Sequence, residues 1–379
     1  MSKTNNKRGV LLPPAVGYSF KIVLGLIKEN KIQFRYFPKL LAIVFVNLIN
    51  LPFRTYERKF INTRFKNIAI DKAPIFILGH WRSGTTHLHN LLCKDKNMAY
   101  TTTYQSVFPD TLFNKLGRFL FLGFSSLLIP GTRKGDNVKL GAALPQEEEF
   151  ALGDKVPFSF YFFWMFPKNM LEYYHRYIRF ENTDIEQLEL WKQHYKLLIK
   201  KAIKNTKGNR FLSKNPPNTG RIKVLLEMFP DAKFIHIHRN PIEVFLSTQN
   251  FHNKMLPPLQ LQQITSEEIS VNIQEVYKKI MKDYFKQKEM IPSKNLIEIS
   301  FEELETKPLE TLKNIYSKLN LEGFNEVEPE FKKYISSLKS YKKNKHTIKR
   351  QQLDILLNEW GFSMEKLNYS IPNNIEIID

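Results

Sequence analysis

Residues 73–92 read APIFILGHWRSGTTHLHNLL, from Ala73 to Leu92. Ile75 to Leu78 is a short apolar run whose length and β-branched content fit a buried parallel strand. Gly79 ends it, and the loop His80-Trp81-Arg82-Ser83-Gly84-Thr85-Thr86 comes next. Leu88, Leu91 and Leu92 then recur at the spacing of an amphipathic helix. Strand, glycine loop and helix N-terminus together point free backbone N–H groups and the helix dipole at a bound anion. Phosphate is the expected guest.

The loop departs from the pattern G-x-x-x-x-G-K-[ST] at one place. Gly79 and Gly84 are in register, but Thr85 stands where the lysine belongs. That lysine reaches the β- and γ-phosphates of a nucleoside triphosphate, so its absence argues against ATP or GTP hydrolysis. The cation sits inside the loop instead, at Arg82, where a planar guanidinium grips a phosphate bidentately. Ser83, Gly84, Thr85 and Thr86 add the hydroxyl and backbone donors that an oxyanion site uses.

The chain has 379 residues and a formal charge of +20, most of it from lysines spread along the length. Such an excess calls for an anionic partner. Nothing resembles a zinc-spaced Cys/His cluster or an aromatic ribonucleoprotein motif, so nucleic acid is not the expected partner. The one cysteine, Cys93, cannot form an intramolecular disulfide, which predicts a reducing, cytoplasmic setting. It comes directly after Leu91 and Leu92 and reads as packing. No signal peptide is expected, because residues 1–9 are polar and no apolar core with a small-residue cleavage site comes promptly after them. Leu40 to Phe53 is apolar but only about two-thirds of a membrane span, and Asn47, Asn50 and Pro52 interrupt it. Phe34, Tyr36 and Phe37 precede it, and Arg54, Arg58 and Lys59 lie after it. Two readings stay open: peripheral contact with the anionic inner face of a membrane, and a buried helix.

The alternation of strands and helices predicts an α/β fold, with a helical preface over 1–70 and the α/β domain over 71–379. Residues 97–145 read as irregular apart from an apolar helix, Leu116 to Leu128. Glu147, Glu148 and Glu149 then stand together in a strongly basic chain. Glutamates suit the first turn of a helix, but adjacent helical residues point apart. Glu147 or Glu149 is therefore a candidate general base, and Glu148 is not favoured. The aromatic tract from Phe158 to Phe180 fits either a core or the wall of an apolar pocket.

Further on, a strand ends at Lys214, on the sheet edge where open α/β folds bind ligands. The strand Lys233 to His238 runs into Arg239, and Pro241 starts a helix that carries Ser247 two turns down. Arg239 and Ser247 are candidates for a second phosphate, while His236 and His238 read as packing. A late strand, Asn295 to Ile299, leads to Phe301-Glu302-Glu303-Leu304. Lys342 and Lys343 lie in a basic run and count as donor contacts only if the fold carries that run over the anion site.

Arg82 to Thr86 after a strand, Arg239 with Ser247 eight residues later, and a Phe-Glu-Glu-Leu segment after a late strand together resemble the sulfotransferases. FLSKNPPNTGRIKVLLEMFPDAKFIHIHRNPIEVFLST and PQEEEFAL look like the broad bacterial branch, and the likeness covers roughly residues 70–360. It implies a three-layer fold like that of the P-loop nucleoside triphosphatases, with a central parallel sheet and a phosphate-binding loop. The implied donor is 3′-phosphoadenosine 5′-phosphosulfate (PAPS), with 3′-phosphoadenosine 5′-phosphate (PAP) as product and no metal. Arg82 to Thr86 would hold the 5′-phosphosulfate, Arg239 and Ser247 the 3′-phosphate, and Arg82 with Lys214 would neutralise charge during in-line transfer.

Trp81 replaces a proline frequent in the family, and Phe301 replaces a tyrosine that often contacts adenine. Arg82 matches the tyrosylprotein and carbohydrate branches. The histidine base of the cytosolic enzymes has no assigned counterpart. Gln105 stands in the stretch where tyrosylprotein enzymes carry a glutamate, which leaves Glu147 or Glu149 as base. The expected acceptor is a hydrophobic alcohol such as a sterol or lipid. The alternatives are a non-catalytic anion- or membrane-binding protein and, behind it, an atypical nucleotide-dependent phosphotransferase.

Overall fold

Strands of two to six residues alternate with helices, and they form a central parallel sheet flanked by helices, as expected for an α/β chain. The structure, a computed structural model, describes residues 14–128, 141–338 and 346–379. Its strands are β1 (Ile75–Leu78), β2 (Met98–Ala99), β3 (Arg210–Lys214), β4 (Lys233–His238) and β5 (Leu296–Ser300), in the order β2-β3-β1-β4-β5. All pairings are parallel. A second parallel pair joins β6 (His346–Lys349) to β7 (Ile375–Ile378).

By contact the chain divides into two compact units. One comprises Asp71–Ala99, Gly208–Asn250 and Ser270–Asp379 and holds the sheet; the other comprises Met1–Ile70, Tyr100–Lys207 and Phe251–Ile269.

In the sheet unit β1 is buried at every position, which is why its sequence is continuously apolar. The pleat sends alternate residues to opposite faces. Ile75 and Ile77, with Ile235 and Ile237 of β4, share a core with Leu88, Leu91 and Leu92 of the helix Thr85–Leu92 and with Leu312 and Ile315. Each such leucine contributes about 1.5–3 kcal/mol by leaving water. Cys93 packs at the edge of this core, and burial pushes its thiol well above the ordinary range, so it is not a reactive thiolate. On the other face Phe76 stacks on Phe234 at 5.6 Å, and His236 stacks on Tyr284 at 3.8 Å. Both strand histidines are thus occupied in packing, His238 through a 3.0 Å contact of its Nδ1 with Tyr369 Oη. Because the strands are parallel, the loops after β1, β3 and β4 leave at one edge of the sheet.

The other unit is mainly helical. The aromatic tract forms its core: Phe160 to Trp164 are all buried, with Phe163 on Trp164 at 4.5 Å and Phe160 on Phe163 at 5.0 Å. The helix expected over Leu116 to Leu128 is Lys115–Leu128, and a short helix, Thr103–Val107, occupies part of the stretch read as irregular. Gln105 on that helix is fully buried and donates to Leu198 O at 3.1 Å.

A buried ionic cluster lies beside this core. Asp110 accepts from Lys155 and from Asn62 Nδ2 (3.0 Å), with Lys201 Nζ at 3.4 Å and Arg58 also paired to it. Lys201 reaches Glu57 at 2.6 Å. Burial alone would raise the Asp110 carboxyl, but Lys155, Lys201 and Arg58 overcome it and hold the group well below the usual carboxylate range.

Candidate functional site

β1 delivers the chain to Gly79, whose φ of 144° and tight surroundings exclude a side chain. A Cβ there would lie 2.4 Å from Ile237 O. The Gly79 N–H donates to Thr219 Oγ1 at 2.8 Å, and the same hydroxyl donates to Gly79 O at 3.3 Å. The short helical turn Pro216–Gly220, just beyond Lys214, thereby clamps the start of the loop. Ser83 pins the middle: its Oγ donates to His80 O at 2.7 Å and lies 3.1 Å from Ile237 O. Arg82 between them has a φ of 72°, a left-handed conformation that costs a residue with a side chain about 1–2 kcal/mol. That strain is held by fixed neighbours on both sides, and it accompanies a directed side chain: Arg82 Nε donates to Ser247 Oγ at 3.0 Å.

Gly84 caps the helix Thr85–Leu92 with a φ of 99°. A Cβ at Gly84 would stand 2.5 Å from Cδ2 of Phe301. Phe301 opens a helix, Phe301–Thr306, fixed by a reciprocal cap between Ser300 and Glu303. The Arg239 guanidinium lies over the Phe301 ring, 4.7 Å from its centre, and its Nε donates to Glu243 Oε2 at 2.8 Å. Glu243 and the ring orient the guanidinium, and its Nη nitrogens carry further donors.

One connected cluster therefore holds Arg82, Ser83, Gly84, Thr85 and Thr86 together with Ser247, Phe301 and Arg239. Lys214 ends the neighbouring strand β3, paired in register with Ile77 and 2% exposed. Its charge is felt on the facing helix: burial first, and then Lys214, push His89 well below the usual imidazole range. Lys342 and Lys343 lie outside the described residues.

Three positions in this cluster carry no motif. Thr219 and Glu243 act through the loop clamp and the Arg239 pair. The third, His80, is buried with Nδ1 2.8 Å from Trp81 O, and a carbonyl only accepts, so Nδ1 carries the proton. Burial lowers its pKa to about 4, so the ring is neutral at neutral pH. A glycine followed by an aromatic-flanked histidine at the end of a buried strand was the available signal.

The three glutamates belong to the other unit, and their environments differ. Glu149 is fully buried; its Oε1 accepts from Phe160 N–H at 2.8 Å and from Ser159 Oγ at 3.3 Å. Glu148 accepts from Tyr195 Oη at 2.6 Å and is 1% exposed. Glu147 accepts from Tyr161 Oη and keeps the most exposure of the three, 8%.

The family model described as "Sulfotransferase family" matches residues 74–326, which includes the loop, Lys214, Arg239, Ser247 and Phe301. The omega-hydroxy-beta-dihydromenaquinone-9 sulfotransferases Stf3 of Mycobacterium bovis and Mycobacterium tuberculosis are each 29% identical over 370 residues, 97% of this chain and 94% of theirs. Among solved structures, sulfotransferase STF9 from Mycobacterium avium superposes with a TM-score of 0.67 at 16% identity, covering 92% of this chain and 90% of that one. Sulfotransferase STF1 from Mycobacterium tuberculosis gives 0.60 at 16% identity, covering 92% and 89%. At such identities the structures speak for the fold alone, while the family model covers most of the chain, the glycine loop included: the chain belongs to the sulfotransferase family.

Proposed function

We propose that this protein transfers a sulfuryl group from PAPS to the hydroxyl of a lipid alcohol. The observation that carries the reading is the 3.0 Å bond from Arg82 to Ser247, which joins the glycine loop to the Arg239…Ser247 pair. Two anion-holding elements in one cluster suit a donor charged at both its 5′ and 3′ positions. The residues present fit that donor: glycines where a Cβ would collide, a helix N-terminus, and two guanidiniums oriented by their neighbours. The lipid acceptor is supported by the Stf3 relatives, whose names specify an omega-hydroxylated dihydromenaquinone.

Bound PAPS supplies the sulfuryl group and leaves as PAP. The residues of the chain position and neutralise. Arg82, Ser83, Gly84, Thr85 and Thr86 hold the 5′ end, Arg239 and Ser247 hold the 3′-phosphate, and Phe301 backs the Arg239 guanidinium. Arg82 and Lys214 offset charge growing on the transferred group and the departing oxygen. The acceptor hydroxyl needs a proton acceptor, and we assign it to Glu147. Glu147 keeps the most exposure of the three, 8% against 1% for Glu148 and 0% for Glu149, and like Glu148 it accepts from a tyrosine hydroxyl, that of Tyr161.

The test is incubation of purified protein with radiolabelled PAPS and a detergent-solubilised hydroxylated isoprenoid quinone or polyprenol, with the sulfated product identified by mass. Transfer is expected, and Glu147→Gln is expected to lower kcat by about 10²–10⁴ with PAP affinity retained. Absence of transfer to every lipid alcohol would contradict the acceptor reading. Full activity in Glu147→Gln would remove the base assignment.

A further inference from the structure

We propose that the outward face of the helix Phe37–Tyr56, together with the helix Lys115–Leu128, docks the protein on the surface of an anionic lipid bilayer. The proposal rests on the lipid-acceptor reading for its purpose alone; its geometry stands apart from it.

The Phe37–Tyr56 helix is inside out. Asn47, Asn50 and Arg54, and Glu57 just past its end, recur at helical spacing and are at most 2% exposed. Each is fastened or enclosed within the unit. Asn47 Nδ2 donates to Ala15 O at 3.0 Å, Arg54 pairs with Asp154 at 3.1 Å, and Glu57 accepts the backbone N–H groups of Phe113 and Asn114 at 2.9 Å. The opposite side carries Leu41 and Phe45, both 64% exposed, and Leu48 at 51%, with Phe34 at 87% just ahead of the helix. A helix on a water-facing surface has the reverse distribution. The neighbouring helix continues the apolar face with Leu116 and Phe119, 61% and 77% exposed; Phe53 and Phe121 join the two helices with ring centres 6.1 Å apart.

Charge selects the occupant. From Lys31 to Ile70 the sole carboxylate is Glu57, and from Tyr100 to Leu128 it is Asp110; both are buried. Lys31, Arg35, Lys59, Arg64, Lys66 and Lys115 are exposed on the same segments. Exposed aromatic and aliphatic side chains among cations, with no exposed carboxylate, complement an anionic lipid surface. Two copies of so basic a face would repel each other. Phe34–Phe65 is long and apolar enough to cross a bilayer by length and composition. Its polar side is bonded into the unit, however, so only the outer side is available to lipid, as in a monotopic helix.

The test is flotation of the full chain with vesicles of phosphatidylglycerol and phosphatidylcholine, or of phosphatidylcholine alone, without donor or acceptor. The wild type is expected to float with the anionic vesicles, at least tenfold less with the neutral ones, and less in high salt. The double variant Phe45→Glu/Phe119→Glu is expected to lose at least tenfold in partitioning while keeping its melting temperature and its PAP affinity. Wild-type protein that stays at the bottom with both vesicles, or a variant that floats equally well, overturns the proposal. A dimer that these substitutions break, with no flotation, would assign the face to a second copy and overturn it likewise. Flotation without transfer to a detergent-solubilised acceptor would sink the acceptor reading and leave the docking face standing; transfer without flotation would do the opposite.

Discussion

Replacing Lys214 by alanine is expected to lower kcat by roughly 10²–10³ while PAP affinity changes by less than about tenfold. Lys214 closes a buried strand, is 2% exposed, and stands beside β1 in register with Ile77. A cation held at the end of a rigid strand and shielded from water needs no reorganisation when charge develops next to it, so it favours the transition state over the bound ground state. Arg82 differs. It is fixed to Ser247 at 3.0 Å inside the loop, so its loss is expected to weaken donor binding and turnover together. Steady-state kinetics beside calorimetric PAP titration of both variants checks this split. Equal losses in kcat and PAP affinity for Lys214→Ala would move Lys214 to a binding role.

The second large effect lies in the other unit. Asp110→Asn is expected to destabilise the protein by about 3–5 kcal/mol, because it leaves the buried Lys155 without its carboxylate, while Lys201 keeps only Glu57. Lys155 and Lys201 are almost wholly enclosed and both meet Asp110. The exposed pair Lys307–Glu310, 3.6 Å apart, is a contrast, and Glu310→Gln is expected to cost under about 1 kcal/mol. The pH dependence has a definite sign. The folded pKa of Asp110 lies well below its unfolded value near 3.8. Its contribution is complete above that unfolded value and is lost as pH falls toward the folded one. Urea melts should therefore separate wild type from Asp110→Asn fully at neutral pH and progressively less below about pH 4. A constant separation down to strongly acidic pH would contradict the assignment.

The sheet unit was legible in the sequence because its signals are local. A continuous apolar strand, two glycines at fixed spacing and a leucine-faced helix are each set by neighbours within a few residues, as are Arg239 before Pro241 and Ser300 before Phe301. What stayed hidden is long-range. Nothing near Thr219 announces that its hydroxyl clamps Gly79, 140 positions earlier. The pairing of β6 with β7 joins His346–Lys349 to Ile375–Ile378 across an intervening helix, so neither strand had a local partner to reveal it. The three glutamates could not be separated by pattern, since Phe160, Tyr195 and Tyr161 decide what each one does. Asn47 and Asn50 read as interruptions of an apolar segment and Arg54 as a cation after it, yet all three lie on its inward face. An apolar stripe announces a helix but not which side the protein covers.

The central claim is a donor site that recognises both phosphates. Calorimetric titration with PAP, and with 5′-AMP as the analogue lacking the 3′-phosphate, tests it most directly in wild type and Arg239→Ala. Removing one charge-assisted phosphate contact costs about 1.5–3 kcal/mol, or roughly 10–150-fold in affinity. The account predicts that PAP binds the wild type at least tenfold more tightly than 5′-AMP, and that Arg239→Ala erases most of that difference while 5′-AMP affinity stays nearly constant. Equal affinities for the two nucleotides in the wild type would contradict it.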